Sequence, residues 1–193
     1  DPARVGVTGN SGGGTLTTWL TALDSRVAAA APSCFICSLQ ANLENEIPSD
    51  AEQNPPGLLA AGLDQVDLLL SYAPRPTMIL SKTYDFFDTR AAAASADDLR
   101  RVHRLLGETD TAGFFAGPGN HGFSLENREA MYGFFLRHLG WKGSIREGCV
   151  VRVKDKKLFS TPRGEVDDLG SRRVFEFTAD RARMLERQRP RLN

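Results

Sequence analysis

Residues 9–13, Gly9-Asn10-Ser11-Gly12-Gly13, follow the pattern G-x-S-x-G, with a further glycine at position 14. Their flanks carry as much information as the motif. Residues 4–8 are strand-like and apolar. After the glycines, Leu16, Trp19, Leu20 and Leu23 recur at i, i+3, i+4 and i+7, the period of a helix. A serine on a sharp strand-to-helix turn is held in a strained backbone, and its hydroxyl is lifted clear of the sheet. The glycines two before and two after it let strand and helix approach. The N–H of Gly12, at a helix N-terminus, is placed to face a developing oxyanion. This is acyl-transfer chemistry with Ser11 as nucleophile. Residues 9–14 lack the G-x-G-x-x-G order of a dinucleotide loop, and no P-loop lysine follows.

A serine hydroxyl attacks poorly until a base takes its proton. The base is best an imidazole, held by a carboxylate that fixes its tautomer. On a turn of this type the partners follow in the order acid, then histidine. Residues 77–82 read as a strand, and Asp85 lies just past it, with Phe86 and Phe87 behind to limit water. Asp88 competes for the role. Either carboxylate could instead cap the next helix. Only three histidines exist: His103, His121 and His138. His103 and His138 fall within helical patterns and read as surface or core histidines. His121 lies in Gly117-Pro118-Gly119-Asn120-His121-Gly122, after a strand and before a helix, where a catalytic base belongs.

The elements that must position these groups alternate. Strands are expected over 4–8, 28–39, 77–82 and 112–116. Helices are expected after Ser11, over 58–72 and 91–106, and from a cap at Ser124 with Met131, Phe134, Phe135 and Leu139 inward. Leu99, Val102 and Leu106 should share the buried face of the third helix. Residues 40–57, with Pro48, Pro55, Pro56 and Gly57, read as a long loop. Alternation of this kind predicts an α/β fold, a parallel sheet with helices on both faces, over residues 1–140. Residues 141–193 read as a small β-rich tail, with short strands over 149–153, 158–160 and 174–177 and a basic helix over 179–189.

With 193 residues and 41% apolar content, the chain can build a real core. Lys+Arg and Asp+Glu are both 24, so no net field favours nucleic acid or an anionic membrane. No apolar run is long enough to span a bilayer. Cys34 and Cys37 have CxxC spacing, but within a strand they would point to opposite faces. They read as buried small apolar residues rather than a redox or metal pair. Their odd partner, Cys149, leaves disulfide pairing open. Asp50, Glu52, Asp64 and Asp67 do not cluster with His or Cys at ligand spacing. Neither a metal nor a cofactor is expected.

The motifs resemble those of the α/β-hydrolase superfamily. More narrowly, Val7-Thr8-Gly9-Asn10-Ser11-Gly12-Gly13-Gly14-Thr15, Ala73-Pro74-Arg75-Pro76, Tyr84-Asp85-Phe86-Phe87-Asp88 and Gly117 to Gly122 resemble bacterial acetyl xylan esterase-like proteins, related to the cephalosporin C deacetylase and prolyl oligopeptidase groups. The resemblance implies Ser11 as nucleophile, Asp85 as acid and His121 as base. It implies deacetylation of a carbohydrate by a secreted or periplasmic enzyme. It also implies about twice as many strands, the first half preceding the serine and supplying a second oxyanion donor. The chain is therefore expected to need an N-terminal half-fold as partner, and residues 159–164 resemble linkers to further domains. The other readings are a serine peptidase of the prolyl oligopeptidase type and an inactive fragment serving assembly.

Overall fold

The computed structural model describes residues 1–46 and 50–189. Pro48, one of the prolines behind the loop reading, lies outside them. Residues 1–148 and 149–193 form two separate compact units.

The first unit is built on a four-stranded, wholly parallel sheet in the order β1-β2-β3-β4. Its strands are β1 (Val5–Asn10), β2 (Val27–Ser33), β3 (Thr77–Tyr84) and β4 (Ala112–Asn120). The helices are α1 (Gly12–Leu23), α2 (Leu39–Glu44), α3 (Gln65–Leu70), α4 (Thr89–Leu105) and α5 (Leu125–His138). Strand alternation sorts the core into two layers. Ala29, Ala31, Met78 and Leu80 face α5, where Met131, Phe135 and Leu139 pack on them. On the opposite face Ile79 meets Leu69 of α3 and Ala92, Ala96 and Leu99 of α4. Beside them Ala30 and Val27 pack on Tyr72. Helices thus cover both faces, as the sequence predicts.

Four local expectations need correction. β2 stops at Ser33 instead of running to residue 39, because Cys34 turns to φ 52 and breaks the extended backbone. The 40–57 loop contains α2, started by Ser38, whose Oγ accepts the Ala41 N–H at 3.0 Å. The helix expected over 58–72 splits into a single 3-10 turn, Leu59–Ala61, and α3. Gly62 at φ 71 ends the first piece, and Asp64 and Asp67 form a capping box that starts the second. Within α4, Leu106 is exposed, while Ala92, Ala96, Leu99 and His103 form the buried face.

The helix expected after Ser11 forms as α1, but its apolar period does not mark its buried face. Its buried face consists of Gly14, Thr15, Thr17, Thr18 and Thr21, and Leu16, Leu20 and Leu23 are exposed. Threonine can face a packed layer here because each hydroxyl donates to a carbonyl four residues back. Thr17 Oγ1 reaches Gly13 O at 2.7 Å and Thr21 Oγ1 reaches Thr17 O at 2.6 Å. The apolar stripe read from the sequence is real, but it lies on the uncovered side.

The first unit extends to Gly148 rather than residue 140. Residues 146 and 147 are tied back to α5 by charge. Glu147 accepts the Arg128 Nε and Nη2 donors, each at 2.6 Å, and the Tyr132 hydroxyl at 2.7 Å. Those donors hold the Glu147 carboxyl down at about 2. Arg146 pairs with Glu129 at 2.7 Å.

In the second unit, no strand forms among the described residues. The valines of 149–153 and the segment 158–160 find no strand partner. Val174 to Phe177 open a helix, α6 (Val174–Gln188), instead of a strand. Glu176 starts that helix by accepting the Arg173 N–H at 2.6 Å. Arg163, Arg172 and Arg173 pair with Asp168, Asp180 and Asp167 respectively. The expected β-rich tail is therefore turns and one helix.

Candidate active site

Each of the four strands ends one residue before a chemically active side chain. Ser11 follows β1, Cys34 follows β2, Asp85 follows β3 and His121 follows β4. In a parallel sheet these carboxyl ends share one edge, where ligands of open α/β sheets bind. The register brings the last two ends level. Lys82 pairs with Gly117 and Tyr84 with Asn120, so Asp85 and His121 leave adjacent strands side by side.

Ser11 sits at φ 57 and ψ −119, a region costly for any residue but glycine. The neighbours hold it there. Its N–H donates to Ser33 O of β2, and its own carbonyl accepts the Thr15 N–H that opens α1, both at 2.9 Å. A Cβ on Gly9 would lie 2.4 Å from Gly13 O, and one on Gly14 would lie 2.5 Å from Ser33 O. Gly9 and Gly14 are thus the glycines that close packing demands. Gly13 has open space where its Cβ would be. The motif's second glycine is not the tight one. Gly12 is the first residue of α1, so its N–H has no acceptor within the helix. Glu52, in the 3-10 turn Ala51–Gln53, brings Oε1 to 3.9 Å from where a Gly12 Cβ would be.

His121 Nδ1 and Asp85 Oδ1 are 2.8 Å apart. The Asp85 side chain is fully buried and that of His121 is about one-quarter exposed, at 24%. Asp85 Oδ1 also accepts the Phe87 N–H at 3.1 Å, which fixes the carboxylate plane. Phe86 stacks on the imidazole at a centroid distance of 4.4 Å and an angle of 25°. Glycines on both sides, Gly119 at φ 89 and Gly122 at φ 146, let the chain loop out and return. Beneath them, Asn127 of α5 is fully buried and donates to Ser81 O at 3.0 Å. Among the described residues the Ser11 hydroxyl makes no hydrogen bond, so the serine is not yet engaged by the imidazole.

Asp88 is placed elsewhere. It caps α4, accepting the Arg90 N–H at 2.8 Å, and it pairs with the Arg90 guanidinium at 2.6 Å. Arg90 holds its carboxyl at about 2. His103 is buried in the core with Nδ1 2.7 Å from Thr111 Oγ1, and burial lowers its pKa. His138 lies at the end of α5 against Phe134.

Cys34 is the residue at this edge that the sequence reading does not place. It is buried, as expected of it, but for a different reason: it is the turn residue after β2, not part of a strand. Its Sγ, an Asp85 oxygen and a His121 ring nitrogen all lie within 4.8 Å of one another. By type these are metal ligands, which the sequence reading does not bring together. The Asp85–His121 distance of 2.8 Å is that of a shared proton. Two ligands of a tetrahedral zinc stand about 3.3 Å apart at zinc–nitrogen bond lengths. Cys37 is buried and free, and Cys149 is exposed and free.

A polar cavity of about 370 Å³ opens beside Asp85, lined by Asn45, Thr83, Phe86 and Arg90 among others. An apolar cavity of about 340 Å³ lies farther along, between Leu39, Leu43, Pro55, Leu58 and Leu59. It includes none of the four strand-end residues. Among the described residues no helix is long and apolar enough to cross a membrane.

No protein-family model and no curated protein matches the chain. Solved structures do. A promiscuous CE15 esterase from a marine bacterial metagenome is 23% identical, with a TM-score of 0.58, over 72% of this chain and 43% of that one. A CE15 glucuronoyl esterase from Caldicellulosiruptor kristjansonii is 20% identical, with a TM-score of 0.62, over 79% and 48%. A methylesterase is 29% identical, with a TM-score of 0.56, over 71% and 30%. The chain spans less than half the length of each of these three structures. The shared fold is that of the α/β-hydrolases.

Proposed function

From this α/β-hydrolase fold, we propose that the chain carries the reacting groups of a serine carboxylic ester hydrolase acting on an esterified carbohydrate. The observation that carries the reading is the 2.8 Å Asp85–His121 pair at the same strand edge as the strained Ser11. The names of the similar structures, glucuronoyl esterases and a methylesterase, support an ester substrate with a sugar component.

The mechanism follows from the placement. Asp85 accepts the Nδ1 proton of His121, which leaves Nε2 free to accept the proton of the Ser11 hydroxyl. Ser11 Oγ then bonds to the ester carbonyl carbon. The carbonyl oxygen takes up the negative charge, and the Gly12 N–H donates to it. When the intermediate collapses, the ester C–O bond breaks and His121 returns its proton to the departing alcohol oxygen. A water, deprotonated by His121, attacks the acyl-enzyme. Ser11 regains the proton as the acid leaves. No step requires a further redox or metal partner.

The acyl group is a separate matter. Acetyl esters, which the motif resemblance implies, place the sugar on the alcohol side. Uronic esters, which the names of the similar structures suggest, place it on the acyl side. Both use the same bond changes.

The test is covalent labelling with a fluorophosphonate, with turnover of an acetylated sugar and of a uronic-acid methyl ester. Labelling at Ser11 that disappears in Ser11→Ala is expected, with at least one substrate hydrolysed. Labelling that persists in Ser11→Ala removes Ser11 as nucleophile. Labelling without turnover of either sugar ester removes the carbohydrate.

A further inference from the structure

Three of the four strand-end residues have a role in the proposed chemistry. Cys34, the fourth, has none, although it shares the position and the buried edge. Like Ser11 it is a non-glycine residue at positive φ, 52 against 57. A strained turn that is also buried is retained where neighbouring contacts hold it. Here the Cys34 N–H donates to Leu80 O at 2.9 Å, locking the turn to β3.

Asp85 is unfinished on one side. Oδ1 takes the His121 and Phe87 donors. Oδ2 is buried without a hydrogen-bond partner. A buried carboxylate oxygen without a donor is costly. The Cys34 Sγ lies within 4.8 Å of an oxygen of this carboxylate. In this structure its Sγ is 3.6 Å from Gly122 O, a weak contact for a weak donor. Rotation about one bond selects between the loop carbonyl and the carboxylate.

We infer that Cys34 is a positioning residue for Asp85: its S–H donates to the Asp85 oxygen turned away from His121, and so sets how tightly the carboxylate holds the imidazolium. The inference rests on the triad reading above. The thiol remains a thiol at neutral pH. Burial first, and the Asp85 charge as well, hold its pKa up at about 11. It is therefore a donor rather than a competing nucleophile. Its contacts also reach toward the nucleophile. Ser33 Oγ lies 3.6 Å from Cys34 Sγ and 3.1 Å from Asn10 Oδ1, and Asn10 precedes Ser11.

The sign of the effect is fixed by charge. A donor on Oδ2 draws negative density away from the oxygen that faces His121. Without it the carboxylate holds a proton on the imidazole more strongly, and the base is available only at higher pH. The experiment is the pH profile of kcat/KM for wild type, Cys34→Ala and Cys34→Ser. Fluorophosphonate labelling of Ser11 is measured alongside, as is the low-field proton resonance of the His121–Asp85 pair. Cys34→Ala should move the acid limb upward by about half a pH unit, the shift expected of one weak hydrogen bond. It should also move the low-field resonance downfield. Cys34→Ser keeps a donor and should retain the wild-type limb. An unmoved limb in Cys34→Ala overturns the inference, as does an equal shift in both variants, which marks mere packing. Failure of the triad reading is read separately: Ser11 is then unlabelled in the wild type.

Discussion

His121 Nδ1 lies 2.8 Å from Asp85 Oδ1, while the nearby carboxylate of Asp88 is turned onto its own helix and Arg90. The two aspartates should therefore fail differently. Asp85→Asn presents an amide to the imidazole, selects the wrong tautomer and should cost about 10⁴ in kcat. Asp88→Asn should leave kcat within a few-fold of wild type, as expected for a group that does not face His121. The measurement is ester turnover for each variant with matched circular dichroism. If Asp88→Asn shows the larger loss, the acid is misassigned.

Asp88 should instead show in stability. It caps α4, and replacing such a cap by alanine costs about 1 kcal/mol. Its carboxyl is held at about 2, against an ordinary value of 3.8. A lowered folded pKa contributes stability that is present above pH 3.8 and lost as pH falls through about 2. Urea midpoints at pH 7 and pH 3 for wild type and Asp88→Ala check this. The gap between the two proteins should narrow at pH 3, and a gap that widens would be inconsistent with the cap and ion pair.

The glycines of the turn can be ranked. A methyl on Gly9 or Gly14 would strike backbone at 2.4 or 2.5 Å, so Gly9→Ala and Gly14→Ala should each destabilise by about 1–3 kcal/mol or more. Gly13 has room, and Gly13→Ala should be neutral or stabilising by up to about 1 kcal/mol. Thermal unfolding of the three variants decides it. A Gly13→Ala loss as large as the other two would contradict this packing.

Legibility in the sequence followed the range of the interactions. That Ser11, Asp85 and His121 stand at strand ends is readable because each sits on local punctuation, a glycine-rich turn or a strand end. The burial of Cys34 was readable from its type, but its place beside Asp85 was not, because it depends on a turn at φ 52 that no glycine announces. The buried face of α1 is not legible because threonines look polar until their hydroxyls bond back along the helix. The tail misled for the opposite reason. Valines favour strands only where a partner strand exists, and residues 149–189 form none.

His103 supplies a pH test of the core. Burial lowers its pKa, so it is held neutral in the fold. The unfolded chain binds the proton more readily. Stability from this group is thus present above about pH 6.5, the ordinary value for histidine, and falls as pH drops below it. Urea midpoints at pH 7.5 and 5.5 should differ in wild type and differ less in His103→Gln. Equal pH dependence in the two proteins would mean that His103 is not the group responsible.

The uncovered side of α1 yields the last prediction. Leu16, Leu20 and Leu23 are 61%, 48% and 78% exposed, and they lie along one helix. Beside that helix, β1 is an edge of the sheet, with apolar Val5 and Val7 and a single flanking charge at Arg4. Unpaired strand edges and contiguous apolar patches both promote association. The chain should therefore self-associate. Replacing Leu16, Leu20 and Leu23 together by serine should shift the population toward monomer, since these side chains lie outside the buried core of the sheet. Size-exclusion chromatography with light scattering measures the effect. A wild-type chain that runs as a monomer at high concentration would show that the exposed leucines and the open edge of β1 need no cover.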